Sequence, residues 1–164
     1  MNEGPDSIAV VMSVPLNESN EIIKMETYSA RRTLLIFACL DFFFQILNGI
    51  IFVTDKDNTN NIVSIVCFIC AFIILVGAYG ISNYKKSITD FYRFFLIFHI
   101  ISIFISLFFT SNLVYYVFSI LIIILNIWIL KILNKFTKNL EVLNPIDIEL
   151  LRSGWAPNTA VIFY

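Results

Sequence analysis

Five polar side chains lie inside long apolar stretches of this sequence, where a polar group needs a partner: Asp41, Gln45, Asn48, His99 and Asn126. A carboxylate near the middle of a bilayer costs on the order of 3 kcal/mol, so it must find a hydrogen bond or an opposite charge. Asp41, Gln45 and Asn48 are spaced i, i+4 and i+7, which predicts that they share one face of a helix.

His99 is predicted to lie at the same depth as Asp41. Each residue is about 12 Å along its helix from the start of its apolar run, at Phe91 and Thr33 respectively. Asn126 comes from an antiparallel segment and reaches the same zone. A hydrogen bond between Asp41 and His99 is therefore geometrically allowed.

Two interpretations of this intramembrane polar cluster compete. Intramembrane Asp and His side chains mark proton relays and ligand pockets in pumps and carriers. They also serve as structural hydrogen bonds that fix the register of packed helices. We favour the structural role, because one carboxylate and one imidazole are little machinery for transport and all four prolines lie outside the apolar runs.

Cys67 and Cys70 form a C-x-x-C pattern, which in other contexts indicates redox chemistry or half of a zinc site. Both lie within an apolar run, and the sequence has no second pair to complete a tetrahedral site. We interpret them as small buried hydrophobic residues. The sequence predicts no metal and no cofactor.

The elements that must position these residues are four apolar runs, at residues 33–53, 62–82, 91–109 and 113–133. Crossing a hydrocarbon core takes about 20 helical residues, and each run meets that length. With 59% hydrophobic and 14% charged residues, the chain is too apolar for an ordinary soluble domain. The predicted fold is an all-α membrane protein, an antiparallel four-helix transmembrane bundle with short loops.

Charge predicts the orientation of this bundle. Lys and Arg collect on the cytosolic side of membrane proteins, and here they flank the first run, the second connection and the end of the fourth run. Both termini are therefore expected in the cytosol. The domains follow: an N-terminal tail over 1–32 that is largely disordered, a transmembrane domain over 33–133, and a C-terminal tail over 134–164 with a short helix at 145–152.

The tails carry candidate sorting signals. Asn144-Pro145 is a typical helix start, and the following Asp147, Leu150 and Leu151 match the acidic dileucine pattern that clathrin adaptors bind. The end of the chain, with Phe163 and Tyr164, is similar to the dihydrophobic ending that coat proteins bind on cargo leaving the endoplasmic reticulum. Coat and adaptor proteins are thus the candidate partners of the tails.

The stretch from Leu75 to Ile81, which contains two glycines, is followed by the basic turn Lys85-Lys86. Together with four spans and short connections, it resembles the small tetraspan proteins of vesicles, Golgi and endolysosomes, of the MARVEL-like and lysosome-associated four-span types. The resemblance covers Arg31 to Lys138. The large cysteine-bearing loop of true tetraspanins is missing, and no functional residue is carried over.

We expect a non-enzymatic membrane protein that organises endomembranes or sorts cargo through its tails, in a Golgi, endosomal or endoplasmic reticulum membrane. The alternatives are a small proton-coupled transporter and an accessory subunit of a larger membrane complex. The lipid bilayer is the first partner, and a membrane-protein partner or a second copy is a further candidate. A net charge of −1 without a basic block argues against nucleic acid.

Overall fold

The structure is a computed structural model that describes residues 16–54, 58–108 and 113–157. Five helices and no strands are found in these segments: α1 (Leu16–Thr54), α2 (Asn58–Ser82), α3 (Lys86–Ser106), α4 (Leu113–Val142) and α5 (Pro145–Arg152). The first four are long and apolar enough to cross a membrane. The prediction of an all-α, four-span membrane protein is confirmed.

The four long helices form a closed bundle. α1 packs on α2, α2 on α3, α3 on α4, and α4 returns to α1. Short connections make neighbours in the chain antiparallel. One end of the bundle contains the start of α1, the turn between α2 and α3, and the end of α4, and we call it the charged end. The opposite end is called the far end.

Large side chains fill the core in the half of the bundle next to the charged end. Leu34, Ile81, Leu96, Leu133 and Phe136 are each at most 1% exposed. Towards the far end the buried positions are small or polar instead, as at Gln45, Gly49, Ser64, Ser119 and Asn126. Many large apolar side chains on all four helices point outward, as the lipid-facing surface of a membrane protein requires.

Two glycines let α2 approach α3 closely. A Cβ on Gly77 would collide with the ring of Tyr92, and a Cβ on Gly80 would lie 2.7 Å from Cγ2 of Ile88. Small residues at a helix interface permit this backbone approach in membranes. At the other end of α2, the Ser64 hydroxyl donates to the carbonyl of Gly49 on α1 over 2.7 Å. α2 is thus fitted to α3 at one end and to α1 at the other.

α1 is much longer than its apolar run, so the expectation of a disordered tail is corrected for residues 16–32, which are helical. Lys24 and Thr27 are 8% and 0% exposed, and they continue the buried face that later carries Leu34 and Ala38. The helix persists because this face packs against other parts of the protein, although its residues are polar. Hydropathy predicts a helix only over the apolar run, which begins at residue 33, and therefore does not predict the helical residues before it.

α4 likewise extends past residue 133, the predicted end of the fourth span, to Val142. Phe136 and Leu140 lie on its buried face, at 0% and 6% exposure. α5 occupies the residues expected for the short helix, with the Asn144 side chain accepting a hydrogen bond from the Asp147 amide over 2.7 Å. The segment predicted as a C-terminal tail therefore begins with structure that adds to the bundle.

Candidate functional site

The structure brings three of the five predicted intramembrane polar residues together. Asp41 on α1 and His99 on α3 lie within electrostatic range of each other, and the Gln45 side chain lies beside the same carboxylate. The described residues show no hydrogen bond or ion pair within 4.0 Å between Asp41 and His99. His99 stacks on Phe95, with 5.9 Å between ring centroids and 24° between ring planes.

Two further groups near Asp41 were missed by sequence reasoning. The thiol of Cys70 on α2 and the hydroxyl of Tyr92 on α3 both lie within electrostatic range of the carboxylate. Tyr92 is 3% exposed and packs against Gly77. The sequence signal that could have found Tyr92 is the pair of glycines on α2, Gly77 and Gly80. Small residues mark a close helix contact, which buries the side chains that face it.

Asn48 does not belong to this cluster. Its side chain is exposed on the outer surface of α1, whereas Gln45 and Gly49 are buried. The buried positions on this part of α1 are Gln45 and Gly49, and Asn48, one residue before Gly49, is turned about 100° from it around the helix axis. A role for Asn48 beside Asp41 stays a prediction.

Asn126 is buried, at 7% exposure, on the inner face of α4. In the described segments it shares no hydrogen bond with the other four residues of the predicted cluster. Ser102, one turn after His99, is exposed and donates to the carbonyl of Phe98 on its own helix over 2.9 Å. The intramembrane polar cluster of the structure is therefore Asp41, Gln45 and His99, with Cys70 and Tyr92 alongside.

Cys67 and Cys70 are free cysteines that are partly exposed. Across the described residues, no group of three or more His, Cys, Asp or Glu side chains is close enough together to hold a metal ion.

A second polar assembly lies at the charged end, where Arg31 of α1 meets the turn between α2 and α3. Its guanidinium carbon lies 5.1 Å from the centroid of the Tyr84 ring, and Nη1 donates to the Tyr84 hydroxyl over 3.3 Å. Tyr84 has a positive φ of 52° and is 3% exposed. Burial raises the pKa of its hydroxyl, and Arg31 offsets part of that rise. The ring also stacks on Phe136, so Tyr84 joins α1 and α4 to the turn between α2 and α3.

α5 is docked on the charged end by several contacts. Lys24 Nζ lies 3.1 Å from Oδ1 of Asp147, and the two side chains are only 11% and 13% exposed. The same ammonium lies 5.5 Å from the centroid of the Trp155 ring, which also packs edge-on against Tyr28. Arg152 donates from Nε and Nη2 to the Asn83 carbonyl at 3.2 and 3.1 Å. α5 is thereby tied to α1 and to the turn between α2 and α3.

The docking of α5 determines which residues of the acidic dileucine pattern are accessible on the surface. Leu151 is fully buried, and Asp147 is paired with Lys24. Leu150 remains 40% exposed, beside a shallow surface cavity of about 470 Å³ that Ile146 and Glu149 also line. A partner cannot reach the complete pattern while α5 is docked. Phe163 and Tyr164, the other candidate signal, lie outside the described residues.

Further ion pairs, several of them partly buried, connect the remaining segments of the charged end. Lys86 Nζ lies 2.9 Å from Asp90 on its own helix and 3.1 Å from Glu141 on α4. Arg93 pairs with Asp90 at 3.1 Å, and Lys135 of α4 pairs with Glu26 of α1 at 3.0 Å. Each such pair contributes little by itself, but together they link α1, α3 and α4 outside the membrane.

The chain shows no significant match to any protein-family model, to curated proteins or to solved structures. The resemblance to MARVEL-like and lysosome-associated four-span proteins therefore stays a prediction from architecture. The four spans establish a multi-pass integral membrane protein in contact with the lipid bilayer.

Proposed function

We propose that this chain is a non-enzymatic membrane protein that organises endomembranes or sorts cargo, with its charged end and both termini in the cytosol. The distribution of Lys and Arg supports this orientation, since the charged end carries most of them and the connection between α1 and α2 has one Lys against two Asp. The membrane assigned is that of the Golgi, an endosome or the endoplasmic reticulum.

The docked state of α5 is the observation that carries the proposal. Leu151 is 0% exposed, so the acidic dileucine pattern is complete in sequence but covered in the docked form. Peptide motifs of this kind bind partners through side chains that must be accessible. Cargo sorting by this route then depends on release of α5, which exposes Asp147, Leu150 and Leu151 together.

Lys24→Ala is the variant that tests this proposal, because it removes the charge facing Asp147 without altering the pattern itself. We expect α5 to be released and a tagged protein to shift towards adaptor-dependent endosomes. Adding Leu150→Ala and Leu151→Ala should restore the original distribution. Lys85→Ala, an exposed lysine on the turn between α2 and α3, is the matched control.

Release of α5 must be measured in the same cells, by protease accessibility of residues 144–157. If Lys24→Ala frees α5 and the distribution still does not change, sorting through this pattern is excluded. If Lys24→Ala shifts the distribution and the added Leu150→Ala and Leu151→Ala changes reverse that shift, sorting through this pattern is supported.

The intramembrane polar cluster favours a second candidate, a small proton-coupled transporter. Asp41 has His99, Cys70 and Tyr92 within electrostatic range, and all four side chains can exchange a proton. Purified protein in liposomes with a pH gradient provides the test. Gradient dissipation that Asp41→Asn abolishes would favour transport over the structural role.

An accessory subunit of a larger membrane complex is the third candidate, and the breadth of the exposed apolar surface suits it as well as contact with lipid. Purification of a tagged chain in mild detergent distinguishes it. A single stoichiometric membrane partner would favour this assignment over a sorting role.

A further inference from the structure

A surface groove of about 480 Å³ runs along the outside of α4 near the charged end. Its lining residues are Ile127, Leu130, Lys131, Asn134, Lys135 and Lys138. Their spacing, i, i+3, i+4, i+7, i+8 and i+11, places them on a single face of one helix. The opposite face of α4 packs into the core through Leu133 and Phe136.

α1 flanks this groove. Phe37 of α1 packs edge-on against Trp128, with 5.4 Å between ring centroids. Nearer the charged end, Glu26 of α1 lies 3.0 Å from Lys135. The groove is therefore bounded along one side by a second helix, which makes it a pocket of fixed position.

The chemistry of the groove changes along its length of roughly 16 Å. Its membrane end is apolar, with Ile127 and Leu130 inside the fourth apolar run. Its outer end carries Lys131, two residues before that run ends, and Lys135 and Lys138 beyond it. A phospholipid has the same order of chemistry at the same depths, with acyl chains inside and a phosphate at the boundary.

The positive charge of the groove is only partly neutralised. Lys135 is paired with Glu26, but in the segments that the structure describes no acidic side chain lies within 4.0 Å of the ammonium of Lys131 or Lys138. Elsewhere at the charged end, Lys86 and Arg93 both pair with Asp90. The groove therefore presents two ammonium groups, those of Lys131 and Lys138, that have no acidic partner in the described segments.

We infer that the groove binds one anionic glycerophospholipid from the leaflet at the charged end. Lys131 and Lys138 contact the phosphate and headgroup, the Asn134 amide donates a further hydrogen bond, and one acyl chain lies along Ile127 and Leu130. The net negative charge of the lipid selects it, because a zwitterionic lipid gains little from two unpaired ammonium groups.

The test measures lipid binding to the purified full chain in a neutral detergent by native mass spectrometry. The probes are phosphatidylserine and phosphatidylcholine with identical acyl chains. We expect phosphatidylserine to bind more tightly, and Lys131→Gln or Lys138→Gln to weaken it about fivefold each. Lys85→Gln, which removes one exposed lysine outside the groove, should leave its affinity unchanged.

All three substituted lysines are exposed, so the variants should fold, which thermal unfolding without added lipid verifies. Equal binding of the two lipids, or an equal loss in Lys85→Gln, would overturn the assignment by showing non-specific association. Glycerophosphoserine, the soluble headgroup without acyl chains, should not compete at matched concentration. If it competes as well as the lipid does, the groove is a site for a soluble phosphate compound and the lipid assignment fails.

Discussion

Lys24 Nζ and Asp147 Oδ1 lie 3.1 Å apart, in side chains that are only 11% and 13% exposed, and this contact joins the first turns of α1 to α5. The pair lies beneath the ring of Trp155, which covers it from one side. An ion pair with so little solvent access depends on both partners, because either charge alone would be left without compensation. It is therefore one of the contacts that keep α5 docked, beside the Arg152–Asn83 hydrogen bonds and the burial of Leu151.

Replacing Lys24 with Ala should destabilise the docked state of α5 by about 3 kcal/mol, since Asp147 is left as an unpaired carboxylate with little access to water. Hydrogen exchange of the α5 amides should accelerate on the order of a hundredfold, while amides in the middle of α2 keep their protection. Exchange read by mass spectrometry measures both. The double variant Lys24→Ala, Asp147→Ala should lose less than the sum of the two single changes, and simple additivity would contradict a direct pair.

Gly77→Ala should destabilise the bundle by about 1–3 kcal/mol, because the added methyl group meets the Tyr92 side chain at a helix contact. Tyr92 Cβ would lie only 2.8 Å from it, and that atom cannot move without its backbone. Gly49→Ala is the comparison, since its new contact is with the outer ring atoms of Phe68, which can turn aside. Thermal unfolding in detergent should show the larger drop for Gly77→Ala, and the reverse order would refute this close approach of α2 to α3.

The helices that could be predicted are those that depend on the hydropathy of a window of residues or on capping residues within one turn. Spans follow from the apolar content of a window, and the start of α5 follows from Asn144 as N-cap and Pro145 after it, which act within one turn. The N-terminal half of α1 could not be found this way, because Lys24 and Thr27 are buried only through contacts with distant segments. Hydropathy counts such residues as exposed.

Some features of the candidate site could likewise be predicted from the sequence, and others depend on how the helices pack. Asp41 and His99 were placed at one depth by counting residues, and the structure places them within electrostatic range of each other. Their direct pairing stays a prediction. The outward turn of Asn48 depends on which neighbouring helix α1 follows, which spacing alone does not determine. The burial of Tyr84 beneath Arg31 requires α1 and α4 to pack on the turn between α2 and α3, which no local pattern in the sequence indicates.

The orientation of the bundle is testable with glycosylation. A sequon engineered into an extended connection between α1 and α2 should receive a glycan, because charge places that connection away from the cytosol. Asn17, in the natural sequon Asn17-Glu18-Ser19, should remain unmodified on the cytosolic side. A gel shift removed by endoglycosidase measures both, and a glycan on Asn17 would reverse the topology.

The end of the chain is expected to act in export from the endoplasmic reticulum. Deleting residues 162–164, which include Phe163 and Tyr164, should hold a tagged protein in that compartment, because a coat protein loses the apolar side chains it would bind. Replacing Asn158 and Thr159 with Ala is a control that keeps the ending intact. Normal export of the truncated chain, seen by colocalisation with a Golgi marker, would remove support for this signal.

Substitutions at Asp41 measure how much the intramembrane polar cluster stabilises the bundle. Asp41→Asn keeps a side chain of the same shape that still hydrogen-bonds, so fold and abundance should be retained, whereas Asp41→Leu should destabilise by on the order of 1 kcal/mol. Thermal unfolding in detergent provides the measurement. His99→Leu in the Asp41→Leu background should then cost less than it does alone, since its partner across α1 and α3 is already gone. If His99→Leu costs the same in both backgrounds, the two residues do not stabilise each other, and the structural interpretation of the cluster fails.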